Sequence, residues 1–209
     1  VWECDFSGFS TAGEYMIVVE GMGSSLPFKI GNDVYREAYQ IASKGLFWQR
    51  AGIEKEIEPG KTYPRGHYPS DDVKMYYQPW RWQDEPSHNN PVNTDNPIDL
   101  WGWYYDAGDW DGYQRHAQVP FSLLLLYDLQ PENFKDGDVA NKYVDNETGQ
   151  WYNEGTNGIP DLLDEAMWLI NYYKRGKEVA LAAGLGTGGV PCAYEGEDGG
   201  IGGLPSWEN

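Results

Sequence analysis

The chain has 209 residues, with 15 Lys plus Arg against 33 Asp plus Glu and a formal charge of -18; such a field repels a phosphate backbone and argues against nucleic acid as a partner. Hydrophobic residues make up 40% of the chain, enough for a packed core despite the acidity. The longest apolar run, FSLLLLY from Phe121 to Tyr127, falls well short of the roughly 18 residues of a membrane span, so no membrane partner is expected.

From Gly13 to Lys29 the sequence GEYMIVVEGMGSSLPFK alternates, is β-branched and is broken by Gly21 and Gly23, which predicts a hairpin belonging to the edge of a larger sheet. Asn32 or Asp33 then offers a cap for a helix over about 33–50, with Val34, Ala38, Ile41, Ala42 and Phe47 or Trp48 as its apolar stripe. Residues 52–100 are rich in Pro, Asn, Asp and aromatics without clear periodicity. A loop of that length in a compact domain is usually functional, and its rings argue against disorder.

A second helix is expected from about Asp111 to Leu129, with Pro120 either kinking it or starting a fresh segment. The third is the clearest. In NGIPDLLDEAMWLINYYKRGK, Pro160 suits the first turn, and Asp161, Asp164 and Glu165 lie toward the positive end of the helix dipole. Lys174 and Arg175 lie toward the negative end, and Leu162, Leu163, Ala166, Leu169, Ile170 and Tyr173 form the stripe expected to be buried. GLGTGG and GEDGGIGG read as flexible connectors. Long helices joined by elaborate loops point to a helical architecture.

The 10 Trp and 16 Tyr against 6 Phe favour rings that carry a polar handle. Two uses compete: core and interface packing, or flat faces for stacking on sugar rings. Cys4 and Cys192 belong to no C-x-x-C pair and read as free thiols. Asn146-Glu147-Thr148 is a glycosylation sequon, and in other settings a surface turn. His88 and His116 read as polar surface or helix residues, while His67 sits in the aromatic loop and could border a cleft.

The densest chemistry is in WYYDAGDWDGYQRH, which sets Asp106, Asp109 and Asp111 within six positions of one another. Three readings compete. One is a capped helix start. Another is a calcium loop; the EF-hand form fails because Ala107 and Gln118 would fall where carboxylates are needed, though an irregular site stays open. The third is acid/base chemistry, in which Gly108 lets Asp106 and Asp109 converge on one water and withdraw its proton. Two such carboxylates would titrate as a coupled pair. They are too close to be both halves of an inverting glycosidase, whose carboxyl groups stand roughly 6.5–9.5 Å apart.

Taken in order, FWQRAG, RGHYP, GWYYDAGDWDGYQRH, NGIPDLLDEAMWLINYYKR and GGVP followed by PSWEN resemble family 9 glycoside hydrolases, the inverting cellulases and their relatives. The likeness is greatest to the subgroup with an immunoglobulin-like domain ahead of the catalytic domain. It implies a mainly α fold: residues 1–31 as the last strands of that β-sandwich, and 32–209 as the N-terminal portion of an (α/α)6 barrel. It implies hydrolysis of β-1,4-glucan chains, with Asp109 as the catalytic base and Asp106 helping to hold the water. Asp111 has no such role and helps start the helix. Xyloglucan, mixed-linkage glucan and glucosamine-containing oligomers are the alternative substrates; a carbohydrate-binding scaffold is the alternative function. A secreted, periplasmic or cell-surface location follows from the same resemblance.

Relatives often hold a zinc ion through cysteines where this chain has Ala51 and Gly66, leaving only His67, so that zinc is expected to be absent. The chemistry calls for no cofactor, and a structural calcium, frequent in the family, has no assignable ligands. The family's general acid is a glutamate near the end of the domain. Glu208 matches an earlier block and is not that residue. Twelve helices make six hairpins, and three are legible between Asp33 and Asn209. The chain is therefore expected to be an internal segment that needs the remainder of its catalytic domain as a partner, and to be inactive and poorly stable alone.

Overall fold

The computed structural model describes residues 3–63, 74–76, 101–104, 114–184, 188–190 and 193–195. The chain divides into two compact units, Val1–Ala42 and Ser43–Asn209.

In the first unit the expected hairpin forms as two nested antiparallel pairs. Strand β1 (Gly13–Tyr15) pairs with β4 (Phe28–Ile30), and β2 (Val18–Val19) pairs with β3 (Gly23–Ser24) at the tip. Ser25 joins the two pairs: its N–H donates to the Ile17 carbonyl at 2.8 Å, and its Oγ accepts the Ile17 N–H at 3.0 Å. Tyr15 stacks edge-on with Phe9 at 5.0 Å and lies 6.4 Å from Phe28.

The division between the units falls within helix α1 (Arg36–Gln49). Its buried residues are Ser43 and Phe47, whereas Ile41 and Trp48 are exposed. The stripe expected over Val34, Ala38, Ile41 and Ala42 is thus corrected. The row that is buried runs from Ser43 through Phe47 to Arg50, because it ends on a charged side chain whose partners lie inside the second unit.

The stretch expected to be a loop after residue 52 opens instead with a hairpin, β5 (Lys55–Glu58) and β6 (Lys61–Tyr63). It joins β8 (Lys142–Val144) and β9 (Trp151–Asn153) in an antiparallel sheet of order β6-β5-β8-β9. Strand β7 (Lys74–Tyr76) pairs antiparallel with β10 (Ala193–Glu195). The turn between β8 and β9 carries the sequon. Asp145 Oδ1 accepts the N–H groups of Glu147 and Thr148, and Asn146 Nδ2 donates to the Gly52 carbonyl at 2.7 Å. The surface-turn reading holds, with the amide nitrogen engaged inside the fold.

Pro120 starts a fresh segment rather than kinking a long helix. A 3-10 turn, Gln114–Ala117, leads into α2 (Gln118–Leu129). Pro120 is its third residue, where an N–H would have no partner within the helix. Helix α2 packs against α3 (Asp161–Ala182). Phe121, Leu124, Leu125, Leu126 and Leu129 remain exposed, although a helix apolar all round is of the kind usually buried.

In α3 the predicted Leu162, Ala166 and Leu169 are buried, but Leu163, Ile170 and Tyr173 are only partly so. The covered face is rotated and includes Asp161, Glu165, Trp168 and Tyr172. The shift has a physical cause: Glu165 meets the buried Arg50 and Asp161 accepts three backbone N–H groups, which apolar periodicity does not reveal. Ala51, Ile53, Trp103, Tyr104, Trp168, Leu169 and Tyr172 form the centre of the core.

Candidate functional site

Arg50 follows the last residue of α1 and is fully buried. A guanidinium in that position must have its charge answered and its donors used. Two carboxylates do both. Nη1 donates to Glu154 Oε1 at 2.7 Å, while Nε and Nη2 donate to Glu165 Oε1 and Oε2 at 3.2 and 3.0 Å, a two-pronged pair. The carbon of the guanidinium lies 4.6 Å from the Trp168 ring centre and 5.1 Å from that of Phe47, so flat apolar surfaces cover what the carboxylates do not.

Burial works against the charge on Arg50, but Glu154 and Glu165 outweigh it and hold its pKa well above the ordinary value. Burial raises that of Glu154, and the cation offsets this only in part. Lys55, on β5, donates to the carbonyls of Trp48 and Arg50 at the end of α1. It supplies the cation that the last turn of the helix lacks. Burial first, and then the Arg50 charge, bring its pKa down to about 8.

The same cluster takes hold of a second segment. Arg50 and Tyr104 form an antiparallel bridge, and the Ala51 N–H donates to the Trp103 carbonyl at 2.6 Å. Tyr104 Oη donates to Glu165 Oε1 at 2.5 Å. Burial, and then the Glu165 charge, raise the phenol's pKa and keep it a donor. Trp168 Nε1 also donates to the Trp103 carbonyl, at 3.3 Å. Arg175 donates twice to the Trp101 carbonyl, at 3.3 and 2.9 Å, and stacks on that ring at 3.8 Å. Gly102, at φ +102°, permits this: a Cβ there would lie 2.1 Å from Arg175 Nη2.

His116, read as a polar surface or helix residue, lies half-buried on the 3-10 turn and meets Trp103 edge-on at 4.8 Å. Trp103 also packs on Tyr172 at 4.8 Å. Residues on either side of the aspartate cluster in sequence are therefore held against one core. Asp106, Asp109 and Asp111 themselves lie outside the described residues, as do Gly66, His67, His88, Cys192 and Glu208. Cys4 is an exposed free thiol.

Ala51, one of the positions where relatives supply a zinc-binding cysteine, is fully buried among Ile53, Trp103 and Trp168 and offers a methyl group. It does not fit a metal. Among the described residues, no group of three His, Cys, Asp or Glu side chains could hold one.

At the start of α3, Asp161 accepts the backbone N–H groups of Gly137, Val139 and Ala140. It organises a preceding loop rather than capping its own helix. Asp164 accepts Asn157 Nδ2 at 3.0 and 3.1 Å; burial, then the nearby Glu154 charge, push its pKa up to about 7. Asp161 and Glu165 stand at i and i+4, interleaved with Leu162, Ala166 and Leu169. Acids placed inside an apolar stripe are the signal that could have found them.

The aromatic residues divide by exposure. Trp103, Tyr104, Trp168 and Tyr172 are core, whereas Trp48, Tyr63, Trp151 and Tyr152 are exposed. A polar cavity of about 300 Å³ opens between the β8–β9 turn and α3, with Trp101, Tyr143 and Trp168 beside Asp145, Asn171 and Lys174.

No family model matches the chain. It is 29% identical over 181 residues to a cellulose 1,4-beta-cellobiosidase of Acetivibrio thermocellus, covering 82% of this chain and 20% of that protein. It is 29% identical over 175 residues to endoglucanase D of the same organism, covering 82% and 24%. Endoglucanase C of Cellulomonas fimi is 28% identical over 184 residues, at 80% and 15% coverage. The chain thus spans a quarter or less of the length of these curated relatives. Among solved structures it is similar to a metagenome-derived glycoside hydrolase family 9 endoglucanase, with a TM-score of 0.53 and 27% identity over 83% of this chain and 28% of that one. A zinc-binding triple mutant of the family 9 endoglucanase J30 gives a TM-score of 0.54 and 26% identity, covering 83% and 29%. In sequence and in fold the chain is similar to family 9 cellulases.

Proposed function

We propose that this chain, similar in sequence and fold to family 9 glycoside hydrolases, carries the water-activating side of an inverting β-1,4-glucanase. Asp109 acts as the general base on the water that attacks the anomeric carbon, and Asp106 shares that water and fixes its direction. Inversion needs a second carboxyl group on the other face of the sugar, as acid toward the leaving oxygen. Residues 32–209 would form part of an (α/α)6 barrel, and residues 1–31 the closing strands of an immunoglobulin-like domain. The protein would act outside the cytoplasm on a soluble or fibrous β-glucan.

One observation carries this reading: the D-A-G-D sequence runs between Tyr104 and the Gln114–Ala117 turn, and Trp103 and His116, just outside it, meet at 4.8 Å. A short acidic segment whose two ends share one rigid core is the support that a positioned water requires. A zinc held as the family resemblance implies is not expected here, since Ala51 presents no donor atom, and the proposed chemistry calls for no metal. The decisive experiment is Asp109→Ala in the complete enzyme. Hydrolysis of soluble β-glucan should fall by about 10²-fold or more, the usual worth of a positioned general base. Unchanged turnover would sink the assignment.

The exposed rings of Trp48, Tyr63, Trp151 and Tyr152 favour a second reading, a scaffold that stacks sugars without cleaving them. Retardation in a β-glucan gel with no new reducing ends would select it.

A further inference from the structure

We infer that the polar cavity between the β8–β9 turn and α3 is a binding site for a neutral saccharide. The site does not depend on the roles proposed for Asp106 and Asp109; the choice of a β-glucan as its ligand rests on that reading. The cavity holds about 300 Å³, at the lower end of the range of small-molecule sites. Its base is aromatic: Trp168 is buried, and Trp101 and Tyr143 are half-buried. Tyr143 and Trp101 each meet Trp168, at 5.6 and 5.9 Å between ring centres. Arg175 stacks on Trp101 at 3.8 Å while donating to its carbonyl. Asp145 is fixed as well, since its Oδ1 accepts the N–H groups of Glu147 and Thr148. The walls are therefore set before any ligand arrives, which lowers the cost of binding one.

The rim is polar and carries both signs. Glu147, Lys174 and Glu178 are exposed, and Asn171 is half-buried. Lys174 and Glu178 stand at i and i+4 on α3, a spacing at which opposite charges pair readily. Among the described residues, however, the side chains of Glu147, Asn171, Lys174 and Glu178 make no hydrogen bond or ion pair, so their donors and acceptors are left for a ligand. The lining selects the class of that ligand. Asp145, Glu147 and Glu178 outnumber Lys174 and Arg175, which disfavours an anion, and Arg175 is already spent on the Trp101 carbonyl. No three acidic, histidine or cysteine side chains among the described residues could hold a bare metal ion. An apolar ligand would strand the polar rim. A pyranose meets every condition: its hydroxyls both donate and accept, and its C–H face lies flat on an aromatic ring.

The test is amide hydrogen exchange in the complete protein, titrated with S-linked cellotetraose, a thio analogue that resists hydrolysis and so stays intact whichever residues cleave a glucan. Exchange across residues 145–150 should slow as the ligand is added. The double variant Lys174→Ala with Glu178→Ala, both at exposed positions, should keep the wild-type melt. It should weaken the affinity read from that protection by about tenfold or more, the worth of one hydrogen bond to a charged group. Asn171→Ala should weaken it in the same direction. Absence of protection at 145–150, or protection of equal affinity in the double variant, overturns the inference. Protection by tripolyphosphate at lower concentration than by the sugar overturns the saccharide class. Protection by S-linked maltotetraose and not by the cellotetraose would uphold the saccharide site and strike the β-glucan as its ligand. Turnover by Asp109→Ala is read separately: full activity would remove the base assignment and leave the exchange result as it stands.

Discussion

Arg50 and Glu165 lie 115 positions apart in sequence and meet through two parallel hydrogen bonds of 3.2 and 3.0 Å, with solvent excluded from both. The pair ties the end of α1 to the second turn of α3. Glu154 takes the remaining arm at 2.7 Å.

The members of this cluster should not act independently. Glu165→Ala leaves the buried cation with Glu154 as its one carboxylate and two of its donors unused, and Arg50→Met strands two carboxylates; each should destabilise by about 3–5 kcal/mol. The double variant Arg50→Met with Glu165→Leu should lose less than the sum, because Glu154 alone of the cluster is then left without its partner, and burial already favours its neutral form. Urea midpoints for the two single variants and the double, in the complete protein, check this. Additive losses would mean that the fork contributes nothing as a unit.

Asp161 offers a second buried carboxylate, used differently. Its oxygens accept three backbone N–H groups from Gly137, Val139 and Ala140, in a loop where Ala140 is held at φ +53°. Asp161→Ala would remove their acceptor in a loop where Gly137 and Ala140 are exposed and water can take its place, so a loss of about 1–3 kcal/mol is expected. Asp161→Asn keeps one acceptor and should lose less. Amide exchange at Gly137, Val139 and Ala140 should accelerate in both variants, and most in the alanine one. Unaltered protection there would remove Asp161 from this role.

These acids show where reading the chain forward stops. The third helix was legible because Pro160, the apolar residues of its stripe and its length agree, and the hairpin because Gly21 and Gly23 interrupt a β-branched run. Pro120 marked a break that the structure places after a 3-10 turn. Which face of α3 would be covered was not legible. Asp161 and Glu165 are charged, and a periodicity of apolar residues assigns charge to solvent; what reverses that is Arg50, 115 positions from Glu165, and three backbone N–H groups 21 to 24 positions from Asp161. Strands β8 and β9 went unread for a related reason. Each is three residues long, too short to alternate, and is fixed by pairing rather than by propensity. The aspartate cluster was conspicuous from its spacing, whereas the Arg50–Tyr104 bridge beside it has no local signature.

Gly102 should tolerate no side chain. At φ +102° its backbone is outside the region that L residues favour, and a Cβ would fall 2.1 Å from Arg175 Nη2. Gly102→Ala must therefore combine backbone strain with displacement of the guanidinium from the Trp101 carbonyl, for a loss of about 1–3 kcal/mol. Arg175→Met should cost less, since it leaves the backbone unstrained. Thermal melts of the two variants decide: equal losses would place the whole cost in the Arg175 contacts, and an unaffected Gly102→Ala would contradict the geometry.

The pH dependence of stability should carry the mark of Asp164. Burial, and then the Glu154 charge, lift its pKa from an ordinary 3.8 to about 7, and Glu154 is shifted in the same direction. Between those two values the folded state binds more protons than the unfolded one. By linkage, stability must then fall as pH rises through that window, and level off once both states are ionised. The sign is opposite to that of an ordinary salt-bridged aspartate, whose contribution is lost on acidification. Asp164→Asn keeps an acceptor for Asn157 and removes the titrating charge, so it should flatten the slope between about pH 4 and 7, matching wild type on the acid side and exceeding it on the alkaline side. Urea midpoints across that range, for wild type and variant, provide the measurement; a wild-type midpoint that rises toward neutral pH as steeply as the variant's would show that Asp164 stays ionised in the fold.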